Sequence, residues 1–489
     1  FTMNLYERLM WTAKENRYPM HMPGHKRAGL FTMANPYAFD VTEIDGTDNL
    51  HQPEGEILWE MEQMKQKYGT KDSYLLVNGS TCGILAAISA CCHPGDTIVI
   101  ARNCHRSVYH AVELLSLKPV YVYPEVDKET EICLGISSEE VKRVIEDTKP
   151  ACVVLTSPTY EGVVSNIRAI AEIVHEKNSL LVVDEAHGAH FAWSDKFPET
   201  AMEQGADLVI ESLHKTLPSF TQTALLHCNG TRIDPGRVAR YLGVYETSSP
   251  SYLFMAGMDA CIDLIREQGA ELFAEYRRRL DAFYRDTADL TQLHVMRRED
   301  LCKEEAYDWD DSKLIIYAGT MGGEALHQEL LGHYHLQMEM VSADYVLGMT
   351  SLMDTDEGMR RLVTALHEID EKNRRMAEPH ETAEENRKTE LDGEVPEAGF
   401  TARMYRKNPR RMQIYQALDL PYREVPLDEA VGKMAADYVY LYPPGIPLIV
   451  PGEVITEEFI RHIRECRERK LNVEGQGNLA PGRIKIVYF

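Results

Sequence analysis

Short, β-rich apolar runs recur through the first half of the chain, at residues 97–100, 120–123, 152–155, 180–183 and 206–210. Segments with helical spacing separate most of them. Short, fully apolar strands alternating with helices predict a mostly parallel sheet covered on both faces. Residues 3–17 predict a leading helix, with Leu5, Leu9 and Trp11 spaced among Glu7, Arg8, Lys14 and Glu15. Further along, a helix is expected from about 55 to 68, a strand near 221–227, helices from about 253 to 291, and a second α/β unit from about 313 to 373. Residues 373–396 are crowded with Arg, Lys and Glu and read as a solvated linker. At 489 residues the chain is too long for one core. The expected organisation is an N-terminal arm over 1–35, a large domain over 36–310, a small α/β domain over 311–372, the charged linker over 373–396, and a C-terminal domain over 397–489. No internal repeat is evident.

In open α/β sheets, ligands sit beyond the carboxyl ends of the strands. Four polar turns fall there: Gly79-Ser80-Thr81, residues 103–107 around His105, residues 156–160, and Asp184-Glu185-Ala186-His187. Beyond them, Ser212-Leu213-His214-Lys215 follows the run at 206–210, and 215 − 184 = 31 positions separate the aspartate from the lysine. This order suits pyridoxal phosphate. An aldehyde cofactor needs a lysine to form an imine, which a substrate amine then replaces, and Lys215 is the candidate. A carboxylate beside the pyridine nitrogen keeps it protonated, a role for Asp184. A glycine- and hydroxyl-rich turn opening a helix exposes N–H groups that suit a phosphate; Ser80, Thr81, Ser212 and His214 are the available donors, and His105 can stack on the ring. Taken singly, each of these is also ordinary turn, cap or surface chemistry. Their joint order is what points to a site.

Composition narrows the classes. A formal net charge of −25 argues against nucleic acid as a partner and would attract cationic small molecules. No apolar run approaches the ~20 residues a bilayer requires, and the start of the chain lacks the basic-then-apolar pattern of a signal peptide, so a cytoplasmic location is expected. The ten cysteines are scattered without a CxxC pair, which indicates neither a metal site nor a disulfide frame.

The ordered motifs resemble the Orn/Lys/Arg decarboxylase family, the fold-type I PLP-dependent decarboxylases of basic amino acids. The resemblance is carried by His-Met-Pro-Gly-His-Lys at 21–26, the Asp45–Leu50 loop, Gly79-Ser80-Thr81, residues 102–107, residues 184–190, Ser212-Leu213-His214-Lys215, residues 247–252 and the segment 442–453 that opens Tyr-Pro-Pro-Gly-Ile-Pro. It covers nearly the whole chain, and it is the short form that this chain resembles, with no regulatory domain before the 21–26 motif. It implies an aspartate-aminotransferase-type fold with a mostly parallel large-domain sheet that binds the cofactor, a small α/β domain and a C-terminal α+β domain. The roles it implies are Lys215 as the cofactor lysine, Asp184 as the pyridine partner and His105 as the stacking residue. Gly79, Ser80, Thr81, Ser212 and His214 would form the phosphate site, with His187 touching the cofactor. Ser249 would reach the phosphate from the partner subunit, which makes a homodimer or higher homo-oligomer with a shared site the expected assembly. The reaction implied is α-decarboxylation feeding polyamine synthesis. Arginine is favoured, lysine and ornithine stand close behind, and Asp45, Asp48 and Glu453 could face the distal cation. Lys215 and His214 are both open as the proton donor to Cα. An aminotransferase or lyase on the same fold, or a silent homologue that binds a partner decarboxylase, are the alternatives.

Overall fold

The computed structural model describes residues 4–29, 35–301, 306–377, 399–442, 445–475 and 482–488. The apolar runs of the first half form one seven-stranded sheet. In chain order its strands are β1 (Asp72–Leu76), β2 (Thr97–Ala101), β3 (Lys118–Val122), β4 (Cys152–Thr156), β5 (Leu180–Asp184), β6 (Leu208–Glu211) and β7 (Ala224–Cys228). Their spatial order is β1-β7-β6-β5-β4-β2-β3. β7 runs antiparallel to both of its neighbours, and the other pairs are parallel. Strands β2, β4, β5, β6 and β7 are buried almost throughout, which is why they read as unbroken apolar runs and not as alternating ones.

Helices cover both faces. α1 (Gly79–Cys91) and α2 (Arg106–Leu114) start directly beyond strands β1 and β2, while α3 (Ser138–Thr148) and α4 (Ile167–Glu176) turn Val141, Val144, Ile145, Ile167, Ile170 and Val174 inward at helical spacing. A single 35-residue helix, α5 (Tyr252–Asp286), leads out of this domain. A four-stranded antiparallel sheet follows, in which β9 (Lys313–Tyr317) and β11 (Tyr345–Met349) are central and β8 (His294–Val295) and β10 (Met340–Val341) lie at the edges. Its edge strand β8 lies upstream of residue 311. The helix Asp356–Ala377 covers the first five residues expected in the linker; the remainder, 378–396, lies outside the described residues. The C-terminal part has its own apolar cluster, including Ile449, Ile455, Ile463 and Ile486.

The N-terminal arm is tied to the turn after β6 and to the end of β11 by the 21–26 motif. Tyr18–Met20 pairs in parallel with Leu336–Met338. The Gly24 N–H donates to the His214 carbonyl at 2.7 Å, and a Cβ on Gly24 would lie 2.6 Å from the Leu217 carbonyl oxygen, so only glycine permits this approach. Lys26 Nζ donates to the carbonyls of Pro19, His21 and Met349 at 2.9, 3.0 and 2.6 Å. The motif is therefore a clasp that holds the Lys215 loop against the second domain.

Candidate active site

The carboxyl ends of β1, β2, β4, β5 and β6 open onto one cavity of about 450 Å³. Asp184 is the last residue of β5 and is buried, with one carboxylate oxygen accepting the Ala186 N–H at 3.1 Å. Burial pushes its carboxyl upward and the nearby Lys215 opposes that shift. After β6 the chain makes one helical turn, Leu213–Thr216, which aims Lys215 back across the strand ends. Burial lowers the Lys215 ammonium, against the pull of Asp184 and Glu339. Its Nζ stands 3.1 Å from His187 Nε2. Burial beside Lys215 holds His187 well below its ordinary value, so its ring is neutral and its Nε2 can accept a hydrogen bond from the lysine.

The opposite end of the cavity is built for an anion. α1 begins at Gly79 with φ +75°, and the N–H groups of its first turn have no partner within the helix. Ser80 Oγ and Ser212 Oγ meet at 2.5 Å beside that turn. His214 donates from Nδ1 to the Thr223 carbonyl at 3.0 Å, and burial pushes it down to about 4. His105 caps α2, its Nδ1 2.9 Å from Ser107 Oγ, and burial with Lys215 nearby takes it down to about 3. Its ring is thus a neutral plane. Gly445, at φ +88°, would bring a Cβ to 3.8 Å of the His105 ring, so the C-terminal module closes over it. The two prolines between Tyr442 and Gly445 lie outside the described residues.

These features match pyridoxal phosphate by chemistry. An anion cradle, a neutral aromatic plane, a buried carboxylate and a lysine whose charged form is disfavoured line one cavity. Thr156 Oγ1, Asn103 Oδ1 and His187 Nδ1 are buried in its wall without partners among the described residues, which is the signature of a site completed by a ligand.

The structure does not bring all the expected substrate residues here. Within one chain, Asp45, Asp48 and Glu453 all lie outside the cavity wall. Asp45 is exposed. The Asp48 carboxylate is spent on the N–H groups of Asn49, Glu54, Gly55 and Ile57, at 2.9, 2.9, 2.9 and 3.0 Å, fastening the start of the helix Glu56–Tyr68. Glu453 is buried against Arg102 at 3.5 Å and also accepts from Asn408 and the Val450 N–H, both at 3.1 Å. Arg102 in turn donates to the Pro447 carbonyl at 2.6 Å. Glu453 therefore joins the C-terminal module to the end of β2. Ser249 is exposed and outside its own chain's cavity.

Two acids that sequence reasoning missed are in the wall. Glu339, between Leu336–Met338 and β10, accepts the Tyr160 hydroxyl at 2.6 Å and the Met22 N–H at 2.9 Å. Glu161, one residue past the polar turn 156–160, accepts the Tyr345 hydroxyl at 3.0 Å. Tyr405 and Tyr442 come from the C-terminal module. Position next to a recognised turn was the only available signal for Glu161; Glu339 had none. Among the described residues no group of acids, histidines and cysteines could hold a metal ion, and no helix is long and apolar enough to cross a membrane.

Fold and site together define a PLP-dependent enzyme of the aminotransferase-like class. The model of the Orn/Lys/Arg decarboxylase major domain matches residues 3–308, and that of the family's C-terminal domain matches residues 400–475. The chain is 33% identical to the uncharacterized protein YaaO of Bacillus subtilis, over 99% of this chain and 98% of that one. It is 31% identical to the arginine decarboxylase of the same organism, over 99% and 97%. Among solved structures, lysine decarboxylase A of Pseudomonas aeruginosa superposes with a TM-score of 0.75 at 20% identity, covering 92% of this chain and 74% of that one. The chain belongs to the Orn/Lys/Arg decarboxylase family and is a PLP-dependent amino acid decarboxylase.

Proposed function

We propose that the enzyme decarboxylates arginine to agmatine and CO2, supplying an amine for polyamine synthesis. The observation that carries α-decarboxylation over transamination is the charge of the cavity wall. An enzyme that retains the α-carboxylate needs a cation to hold it, typically a forked guanidinium. Among the described lining residues no arginine is present and Lys215 is the one lysine, whereas Glu161 and Glu339 are both acids. A carboxylate placed there gains by leaving as neutral CO2. The preference for arginine rests on the relatives near 30% identity that bear that name.

Bound pyridoxal phosphate supplies the electron sink for the bond that breaks. The chain's own residues do the rest. Asp184 would keep a proton on the pyridine nitrogen, because a buried carboxylate favours the charged form of a base beside it. Ser80, Thr81, Ser212 and the first turn of α1 hold the phosphate. With its Nδ1 proton committed to Thr223, His214 can donate only from Nε2, and it takes up that proton when an anion offsets its burial. His105 fixes the ring plane. Lys215, hydrogen-bonded to His187, would hold the cofactor and would be placed to return a proton to Cα. In this reading Ser249 reaches the phosphate of a partner subunit within a homodimer.

The test is amine detection after separate incubation of the holoenzyme with arginine, lysine, ornithine and a neutral amino acid. Agmatine formed fastest supports the reading. Faster cadaverine or putrescine formation moves the substrate, and keto acid release in place of CO2 overturns the reaction.

A further inference from the structure

The cavity does not end at the cofactor residues. A second cavity of about 350 Å³ abuts it, between the small-domain sheet and the C-terminal module. The two share Glu161, Glu339, Tyr405, Tyr442 and Ile446 as wall. Of the two acids at this junction, Glu339 has a hydrogen bond on each oxygen and acts electrostatically on Lys215, so it belongs to the reacting end.

Glu161 is differently placed. Some enclosed carboxylates of this protein have a cation, Asp354 from Lys26, Asp310 from Lys313 and Glu453 from Arg102, whereas Glu211 has neither a lysine nor an arginine and is pushed upward by burial. Glu161 has no cation within ion-pair distance among the described residues, and the hydroxyls of Tyr345 and Thr159 are its side-chain donors. Burial accordingly pushes its carboxyl upward. A carboxylate kept at the border of two cavities without a counter-charge is costly unless a ligand supplies one. The neighbouring wall is aromatic, from Tyr405 and Tyr442, which suits the apolar methylenes that separate the two ends of a basic amino acid. The second cavity's described wall carries Glu324 as a further acid and Lys470 at its C-terminal-module side.

We infer that Glu161 receives the distal cation of the substrate and so determines that the enzyme takes basic and not neutral amino acids. This rests on the reading of the protein as a decarboxylase of basic amino acids. The substrate lies with its reacting end at Lys215 and its side chain running past Tyr405 toward Glu161, and the second cavity gives the longer guanidinium room beyond it.

The experiment compares wild-type holoenzyme with Glu161→Gln and Glu161→Asp. Two measurements are made: kcat/KM for arginine, lysine and ornithine against citrulline and norleucine, and calorimetric binding of agmatine, cadaverine and putrescine. The visible absorbance of the bound cofactor verifies that each variant is folded and loaded. Glu161→Gln is expected to lower kcat/KM for the basic substrates ~10–100-fold, the loss that goes with a charge-assisted contact, chiefly through KM. Rates with the neutral analogues should stay within about two-fold, and Glu161→Asp should recover part of the loss. An equal fall for charged and neutral substrates, or unchanged amine affinity, overturns the inference. If the wild type turns over no basic amino acid, the functional reading fails; amine binding that Glu161→Gln abolishes still supports the role of Glu161, and amine binding that is unaffected or absent removes it.

Discussion

The floor of the cavity and its roof are made in opposite ways. The floor consists of consecutive strand ends in one sheet: Gly79 to Thr81 beyond β1, His105 beyond β2, Asp184 ending β5 and Lys215 just past β6. Each is placed by a strand whose apolar run is plain, and the parallel register brings Thr156, Asp184 and Ile210 into line. The roof is assembled from Met22 in the arm, Glu339 in the small domain, and Tyr405 and Tyr442 in the C-terminal module, with Glu161 on the loop between. No two of those segments are near in sequence. On the proposed reading, the floor would set the cofactor and its electronics, and a roof gathered from other segments would vary substrate choice without disturbing the chemistry.

If that division holds, floor substitutions should stop turnover whatever the substrate. Lys215→Ala should lower kcat by at least ~10³-fold for every amino acid tested and abolish covalent retention of the cofactor, read by absorbance after gel filtration. Residual turnover close to wild type would break the assignment. Asp184→Ala comes next, with an expected loss of about 100-fold or more in kcat in a protein whose circular dichroism and melting remain near wild type; a main effect on KM for one substrate alone would place Asp184 in the roof instead.

The acids expected at the substrate end separate the two regions from another side. Removing Glu453 leaves the buried Arg102 without its counter-charge, so Glu453→Gln should destabilise by about 3–5 kcal/mol in denaturant unfolding and keep the order of preference among arginine, lysine and ornithine. Asp48→Ala removes the acceptor at a helix start and should cost about 1–2 kcal/mol, again with unchanged preference. A switch in substrate order by either variant would return that residue to the site.

The smallest effect concerns the layer beneath the floor. Glu185 and Glu211 lie buried together next to Asp184 and Ser212, with the Tyr68 hydroxyl 2.7 Å from Glu211. Burial pushes Glu211 from the ordinary 4.5 up to about 8. The folded state therefore binds this proton more tightly than the unfolded one, and the stability it adds below about 4.5 is lost as pH rises toward 8. Melting temperature of the holoenzyme should decline over that window, and Glu211→Gln should flatten the decline. A variant that melts with the same pH slope as wild type would remove this pair from the pH dependence.

Most of the sheet and nearly all of the floor were readable along the chain. Fully buried strands have a one-dimensional signature, and turns beyond them fall at predictable positions. Carboxylates in loops were harder to read. Asp48 and Glu453 lie in segments that resemble the family as closely as Asp184 does, yet Asp48 is consumed by nearby N–H groups and Glu453 by a buried arginine 351 positions away (453 − 102), which spacing cannot pair with it. Glu161 and Glu339 went unnoticed for the converse reason: an acid in a loop looks the same whether it faces water or a cavity.

The sequence by itself determined the alternation of strands and helices and which polar turns fall at the strand ends, because apolar periodicity and strand-end turns are local. Only the tertiary structure decided which acids line the cavity and that the 21–26 motif is a clasp. Those depend on which distant segments meet and on whether a charge finds its partner inside the protein, and neither is a property of neighbouring residues.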